Sequence, residues 1–174
     1  QNHPHISGNK WWKLKYNLEE AQRLNKKTVL TFGGAYSNHI YATAAAAHEC
    51  GFESIGIIRG EEILPLNPTL SFATEKGMHL HYVSREAYRN KDEHEFINNL
   101  SNQFGDFYLI PEGGTNTLAV QGTTEFAREI LAPIPYDTLF LGVGTGGTMA
   151  GIINGLAGER KILGVPVLKN GGFL

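Results

Sequence analysis

The chain has 174 residues, 41% of them hydrophobic, with 15 Lys and Arg against 17 Asp and Glu and a net charge of −2. That length suits one domain or two small lobes around a real core. No basic stripe points to nucleic acid, and no apolar run nears the ~18 residues that cross a bilayer, so neither nucleic acid nor membrane is expected as a partner. The single cysteine, Cys50, rules out an internal disulfide and suits a reducing, cytoplasmic setting. The chain opens at Gln1 without a signal peptide and closes at Leu174, and both ends read as truncations of a longer protein.

Strand and helix patterns alternate along the chain. Residues 10–25 place Trp11, Leu14, Leu18 and Ala21 at helical spacing, with Asn9 as the expected N-cap. Thr28 to Phe32 is a β-rich run ending in Gly33-Gly34, and 38–50 is an Ala-rich helix closed by Gly51. Ser54 to Ile58 is a second strand, 67–76 a helix ended by Gly77, and His79 to Val83 a third strand. A helix over 92–104 puts Phe96, Leu100 and Phe104 on one face, and Phe107 to Ile110 is a fourth strand. A helix over 116–131 stops before Pro133; Thr138 to Val143, 148–157 and Ile162 to Val167 complete the series as strand, helix and strand. Such alternation predicts an α/β fold of open parallel sheets with helices on both faces. Glycine turns sit at strand C-termini, the edge where open α/β sheets bind ligands.

Lys10 breaks a local rule. Lys10 and Lys13 fall in the first turn of their helix, facing the positive end of its dipole. The dipole and a second ammonium one turn away are expected to lower the pKa of Lys10 and free its amine for Schiff-base chemistry. Gly144-Thr145-Gly146-Gly147-Thr148 joins a strand to a helix, so free amides there form an anion cradle. Gly142, Gly144 and Gly147 also match a dinucleotide fingerprint, but no Asp or Glu follows Glu159 to meet a ribose roughly 20 positions on. Ser37 and Asn38 stand at a third mouth, as N-caps or as holders of a carboxylate or cofactor oxygen. Gly113-Gly114-Thr115-Asn116 reads as a turn and cap. His79 and His81 alternate on one strand without metal-ligand spacing, and Glu61-Glu62 reads as a solvated turn. A reactive lysine, a cradle for one phosphate and a carboxylate site together describe a pyridoxal-phosphate enzyme.

Four motifs in order carry a resemblance over essentially the whole chain: Ser-Gly-Asn-Lys-Trp-Trp-Lys-Leu at 7–14, Phe-Gly-Gly-Ala-Tyr-Ser-Asn-His at 32–39, Pro-Glu-Gly-Gly-Thr-Asn at 111–116 and Gly-Thr-Gly-Gly-Thr at 144–148. The chain resembles the 1-aminocyclopropane-1-carboxylate deaminase/D-cysteine desulfhydrase family, pyridoxal-phosphate enzymes of the tryptophan-synthase-β-like fold type II. The resemblance implies Lys10 as the Schiff-base lysine and Asn38 as a partner of the cofactor's ring hydroxyl. It implies Gly144, Thr145, Gly146, Gly147 and Thr148 as the phosphate loop, with Lys13 also reaching the phosphate. Ser37, Asn38 and His39 align with a carboxylate-binding stretch, in which His39 replaces a common Gln, and Ser37 is a candidate proton carrier. A small lobe is implied over 14–114, with 1–13 and 115–174 in the large lobe, in a homodimer acting on a small amino acid. Two other classes stay open: a nucleotide-binding oxidoreductase using Gly142, Gly144 and Gly147, and a non-catalytic small-anion module.

Overall fold

The computed structural model describes residues 3–167, in which six strands and six α-helices alternate. They are α1 (Asn9–Arg23), β1 (Thr28–Gly34), α2 (Asn38–Cys50), β2 (Glu53–Arg59), α3 (Pro68–Glu75), β3 (Met78–Val83), α4 (His94–Phe104), β4 (Tyr108–Ile110), α5 (Thr117–Phe126), β5 (Thr138–Val143), α6 (Gly147–Leu156) and β6 (Lys161–Pro166). A π turn, Ala127–Leu131, extends α5, and 3-10 turns at Ala87–Asn90 and Glu112–Gly114 interrupt the alternation. Every strand pair is parallel, in one sheet of order β3-β2-β1-β4 and a second of order β5-β6. The α/β alternation therefore holds. The implied large-lobe ranges extend over 1–2 and 168–174, which lie outside the described residues.

β1 is the central strand, and six of its seven residues are buried, as a parallel strand covered on both faces requires. Alternation along it splits the core. Val29 turns to α1 and α2, packing with Leu14, Leu18, Ala42 and Ala46. Leu30 and Phe32 turn to the other face, meeting Tyr88, Leu100, Phe96 and Phe104. Side-chain caps set the helix starts: Ser37 on α2, Asn67 followed by Pro68 on α3, and Asn116 on α5. In the second sheet Leu139, Leu141 and Ile162 pack on Ile152 and Leu156 of α6, while Phe140, Leu163 and Val165 on the other face are exposed.

Glycines on α5 and α6 bring three helices together. A Cβ on Gly122 would overlap the Trp12 carbonyl oxygen, and one on Gly151 would overlap the Thr123 hydroxyl. α1 and α6 can therefore both lie against α5, which carries the N-terminus of α1 to that of α6. This contact corrects two expectations. Asn9 is the first helical residue, not the cap: Gly8 precedes it at φ 59°, a backbone state that favours glycine. The buried arc of α1 also includes Trp12, Lys13 and Asn17, and Trp11 is only half-buried. The reason is that α1 packs on two neighbours, β1 side and α5, so its covered arc is wider than one stripe. A lobe boundary between 13 and 14 would fall inside this unbroken helix.

Candidate active site

The N-termini of α1, α2 and α6 and the turn before α5 meet around one cavity of 420 Å³. Its walls include Asn9, Lys10, Lys13, Ser37, Asn38, His39, Glu112, Gly113, Gly142 and Gly144 to Gly146, with Thr148. That size falls in the range of small-molecule sites.

The amine wall comes from α1. Lys10 is half-buried, and among the described residues its Nζ has no hydrogen-bond partner. Burial lowers its pKa. Lys13, only 2% exposed, is committed: Nζ donates to Gly113 O at 2.5 Å and to Thr115 Oγ1 at 3.0 Å. Burial first, then the Lys10 charge, brings Lys13 down to about 7. Burial is the largest cause for both amines, and the repulsion between the two ammonium groups, which is mutual, adds to it.

The anion wall is the start of α6. Gly146 sits at φ 80° as its N-cap, without a capping side chain, a left-handed position suited to glycine. The first helical bond runs from Ala150 N to Gly146 O, so the amides of Gly147, Thr148 and Met149 have no partner within the helix. Free amides and the positive dipole end together favour an anion. Two hydrogen bonds fix this turn to the amine wall. Asn9 Nδ2 donates to Thr148 Oγ1 at 2.8 Å, and the Thr115 hydroxyl, which accepts from Lys13, bonds the Thr145 hydroxyl. Lys13 thus meets the cradle through Thr115 and Thr145.

The third wall is the start of α2. Ser37 Oγ accepts from the amides of His39 at 3.2 Å and Ile40 at 3.3 Å, so Ser37 is an N-cap that keeps its own proton to donate. Asn38 is exposed to the cavity. His39 is buried beneath it. Thr31 donates its one proton to Ile110 O at 2.8 Å, so its oxygen must accept from His39 Nε2–H, also at 2.8 Å. That leaves His39 Nδ1 as a bare acceptor, buried without a partner. Burial and then the two lysines hold the ring well below its ordinary pKa, so it is neutral. A neutral ring that presents a lone pair does not attract a carboxylate, and the His39 amide is already bound to Ser37.

The structure brings Lys10, Lys13, Ser37, Asn38, His39, Gly144, Thr145, Gly146 and Thr148 to one cavity. Gly147 stands apart. It is buried against Thr115, whose Cγ2 lies 2.9 Å from where a Cβ would sit, and it offers only its amide. Sequence reasoning missed Glu112 and Gly113 as lining residues, having taken the 113–116 turn as a turn and cap. Asn116 does cap α5, accepting from Ala119 N at 2.9 Å. The missed signal was the third strand–glycine–helix repeat at the same sheet edge. His79 and His81 pack on Phe104, and no metal-holding cluster occurs among the described residues.

One unbonded amine opposite a cradle of free amides, with an orphaned buried acceptor below, suits a phosphorylated aldehyde. Comparisons with known proteins agree. The family described as pyridoxal-phosphate dependent enzyme matches residues 1–170. The bifunctional D-cysteine desulfhydrase/1-aminocyclopropane-1-carboxylate deaminase of Arabidopsis thaliana, named as mitochondrial, is 34% identical over 84% of this chain and 41% of its own length. A Pyrococcus abyssi protein provisionally named a 1-aminocyclopropane-1-carboxylate deaminase is 31% identical over 93% of this chain and 52% of its own. A crystal structure described as a homologue of that deaminase superposes with a TM-score of 0.78 at 28% identity, over 94% of this chain and 52% of that one. The chain thus spans about half the length of the relatives it matches. A dinucleotide site on Gly142, Gly144 and Gly147 is set aside, since the matched family is pyridoxal-phosphate dependent. No helix among the described residues is long and apolar enough to cross a membrane. The chain belongs to the pyridoxal-phosphate-dependent enzyme family, in its fold type II architecture, and its relatives carry the deaminase and desulfhydrase names that its four motifs resemble.

Proposed function

We propose that this chain forms the lysine- and phosphate-binding part of an enzyme that converts a small amino acid to a 2-oxo acid and ammonia. The substrate is D-cysteine or 1-aminocyclopropane-1-carboxylate. The observation that carries this reading is the unbonded Lys10 amine and the α6 cradle walling one cavity, held together by the 2.8 Å bond from Asn9 to Thr148. Pyridoxal phosphate, when bound, supplies the electron sink that makes the bonds at the substrate α-carbon labile.

The chain's own residues divide the remaining work. Lys10 would hold the aldehyde end of the cofactor. The amides of Gly147 to Met149 and the hydroxyls of Thr145 and Thr148 would hold its phosphate, and Asn38 its ring hydroxyl. Lys10 Nζ, whose pKa burial lowers, would move a proton at or near the α-carbon. Lys13 holds the 113–115 turn against the phosphate loop. Ser37 fixes α2 and keeps a hydroxyl proton for transfer above the ring, while Asn38 and its amide take the substrate carboxylate. His39 supports that wall from below through Thr31. A small lobe over 14–114, a large lobe from 1–13 and 115–174, a homodimer and a cytoplasmic setting belong to the same reading.

The test is a substrate screen. Ammonia and 2-oxo acid release are measured with D-cysteine and with the cyclopropane acid, for wild type and Lys10→Ala. The reading expects release from one of the two substrates and its loss in the variant. Turnover by Lys10→Ala at the wild-type rate contradicts it.

A further inference from the structure

Lys10 and Asn38 each face two cavities. One is the pocket that carries the α6 cradle. The other, of 480 Å³, lies between the chain before α1 and the start of α2, and among the described residues none of the cradle lines it. Its walls are uneven. Gly8 and Ala42 bring only small groups to it, whereas His5 and Tyr41 bring rings. Asn38, Tyr41 and Ala42 stand three and four residues apart on α2, so one helix face runs from the proposed carboxylate site into this second cavity.

The two rings are fixed in place. Tyr41 stacks on Phe72 of α3 with centroids 3.9 Å apart and planes 14° off parallel, and His5 meets the same Phe72 at 4.8 Å. Tyr41 Oη and His5 Nδ1 are hydrogen-bonded at 3.0 Å. Only one proton lies between them. If the phenol donates it, His5 keeps an Nε2–H donor and Tyr41 keeps its oxygen lone pairs. If the imidazole donates it, Tyr41 keeps its O–H and His5 Nε2 its lone pair. In either tautomer the pair has a donor and an acceptor to spare. Both residues are half-buried, so these groups are not sealed from the cavity. A thiol or a hydroxyl both donates and accepts, and a hydrocarbon ring does neither.

We propose that this second cavity is the side-chain subsite of the amino-acid substrate, in which the His5–Tyr41 pair hydrogen-bonds a β-thiol or β-hydroxyl. With Lys10 and the α6 cradle holding the cofactor, the amino acid has to reach Lys10 from a side that the cofactor does not fill. Asn38, which takes the substrate carboxylate in the proposed function, borders that side. The inference rests on the proposed function and deepens it: of the two substrates named there it selects D-cysteine, because the cyclopropane ring offers the pair no partner.

The protein loaded with pyridoxal phosphate is titrated with D-serine and with D-alanine, which differ only in the β-hydroxyl, and the change in cofactor absorbance gives each Kd. Wild type is expected to bind D-serine about tenfold more tightly than D-alanine. Tyr41→Phe keeps the ring on Phe72 and removes the hydroxyl alone. It is expected to keep the cofactor absorbance and to bring the two constants within about twofold of each other. The His5 ring proton resonance, identified by its absence in His5→Phe, is expected to shift when D-serine saturates the protein. Equal affinities in wild type, a preference that survives Tyr41→Phe, or a His5 resonance that D-serine leaves unmoved overturns the subsite. Failure of the proposed function shows differently, as wild-type protein whose cofactor absorbance neither amino acid alters; the His5 resonance then still decides whether D-serine occupies the cavity.

Discussion

The folded state should hold Lys13 largely neutral near pH 8, and this has a consequence for stability. Lys13 titrates at 10.5 when unfolded and at about 7 when folded. Between those values the unfolded chain binds the extra proton, so stability rises with pH. At pH 7 the depressed amine costs about 4 kcal/mol, and at pH 9 about 2, a gain of roughly 2 kcal/mol over that interval. Lys10, also lowered, adds a contribution of the same sign. His39, also lowered, acts with the same sign but only below its ordinary value of 6.5, outside the window. Cys50, Tyr16, Tyr88 and Lys15, all raised, weaken the fold only toward pH 9 and above. Urea unfolding of the cofactor-free protein at pH 7 and pH 9 reads the effect. With a slope of about 2 kcal/mol per molar, the midpoint should rise by about 1 M at pH 9. Lys13→Met, which fills the same space without the charge, should lose more than half of that rise. Equal wild-type midpoints at the two pH values would refute the argument that burial neutralises this amine.

Three further outcomes follow from single contacts. Asn9→Ala and Thr148→Val should each cost about 1 kcal/mol in unfolding, and the double variant little more than either alone, since both remove one bond; full additivity would mean that α1 and α6 are not coupled there. Gly122→Ala should destabilise by about 1–3 kcal/mol because its Cβ meets the Trp12 carbonyl; a gain from better helix propensity, seen as a higher melting temperature, would show that α1 and α5 are not in close contact. Thr31→Val should cost about 1–3 kcal/mol by leaving His39 Nε2–H unpaired, with Thr31→Ser recovering most of it in the same thermal assay.

Much of this was legible in the sequence because local chemistry decided it. Period-two and period-3.6 patterns located the strands and helices, and Gly51 and Asn116 marked ends that the backbone adopts. The motifs at 7–14, 32–39 and 144–148 name residues that share one cavity. What escaped depended on tertiary partners. Asn9 looked like a cap by type, but its amide goes to Thr148, 139 residues away. The lowered pKa of Lys10 was expected from its neighbour and the dipole, whereas its burial, which depends on elements distant in the chain, was not legible locally. Likewise nothing local to Gly113 announced that Lys13 would bind its carbonyl across 100 residues. The tautomer of His39 follows only from Thr31 lying beside Ile110 in adjacent strands.

The most direct measurement is borohydride reduction of the protein with pyridoxal phosphate, followed by peptide mass analysis. The account expects the reduced cofactor's mass on the peptide carrying Lys10, and none on a Lys10→Ala variant whose Lys13 remains in place. Cofactor mass on Lys13 instead, or on neither lysine, would contradict it.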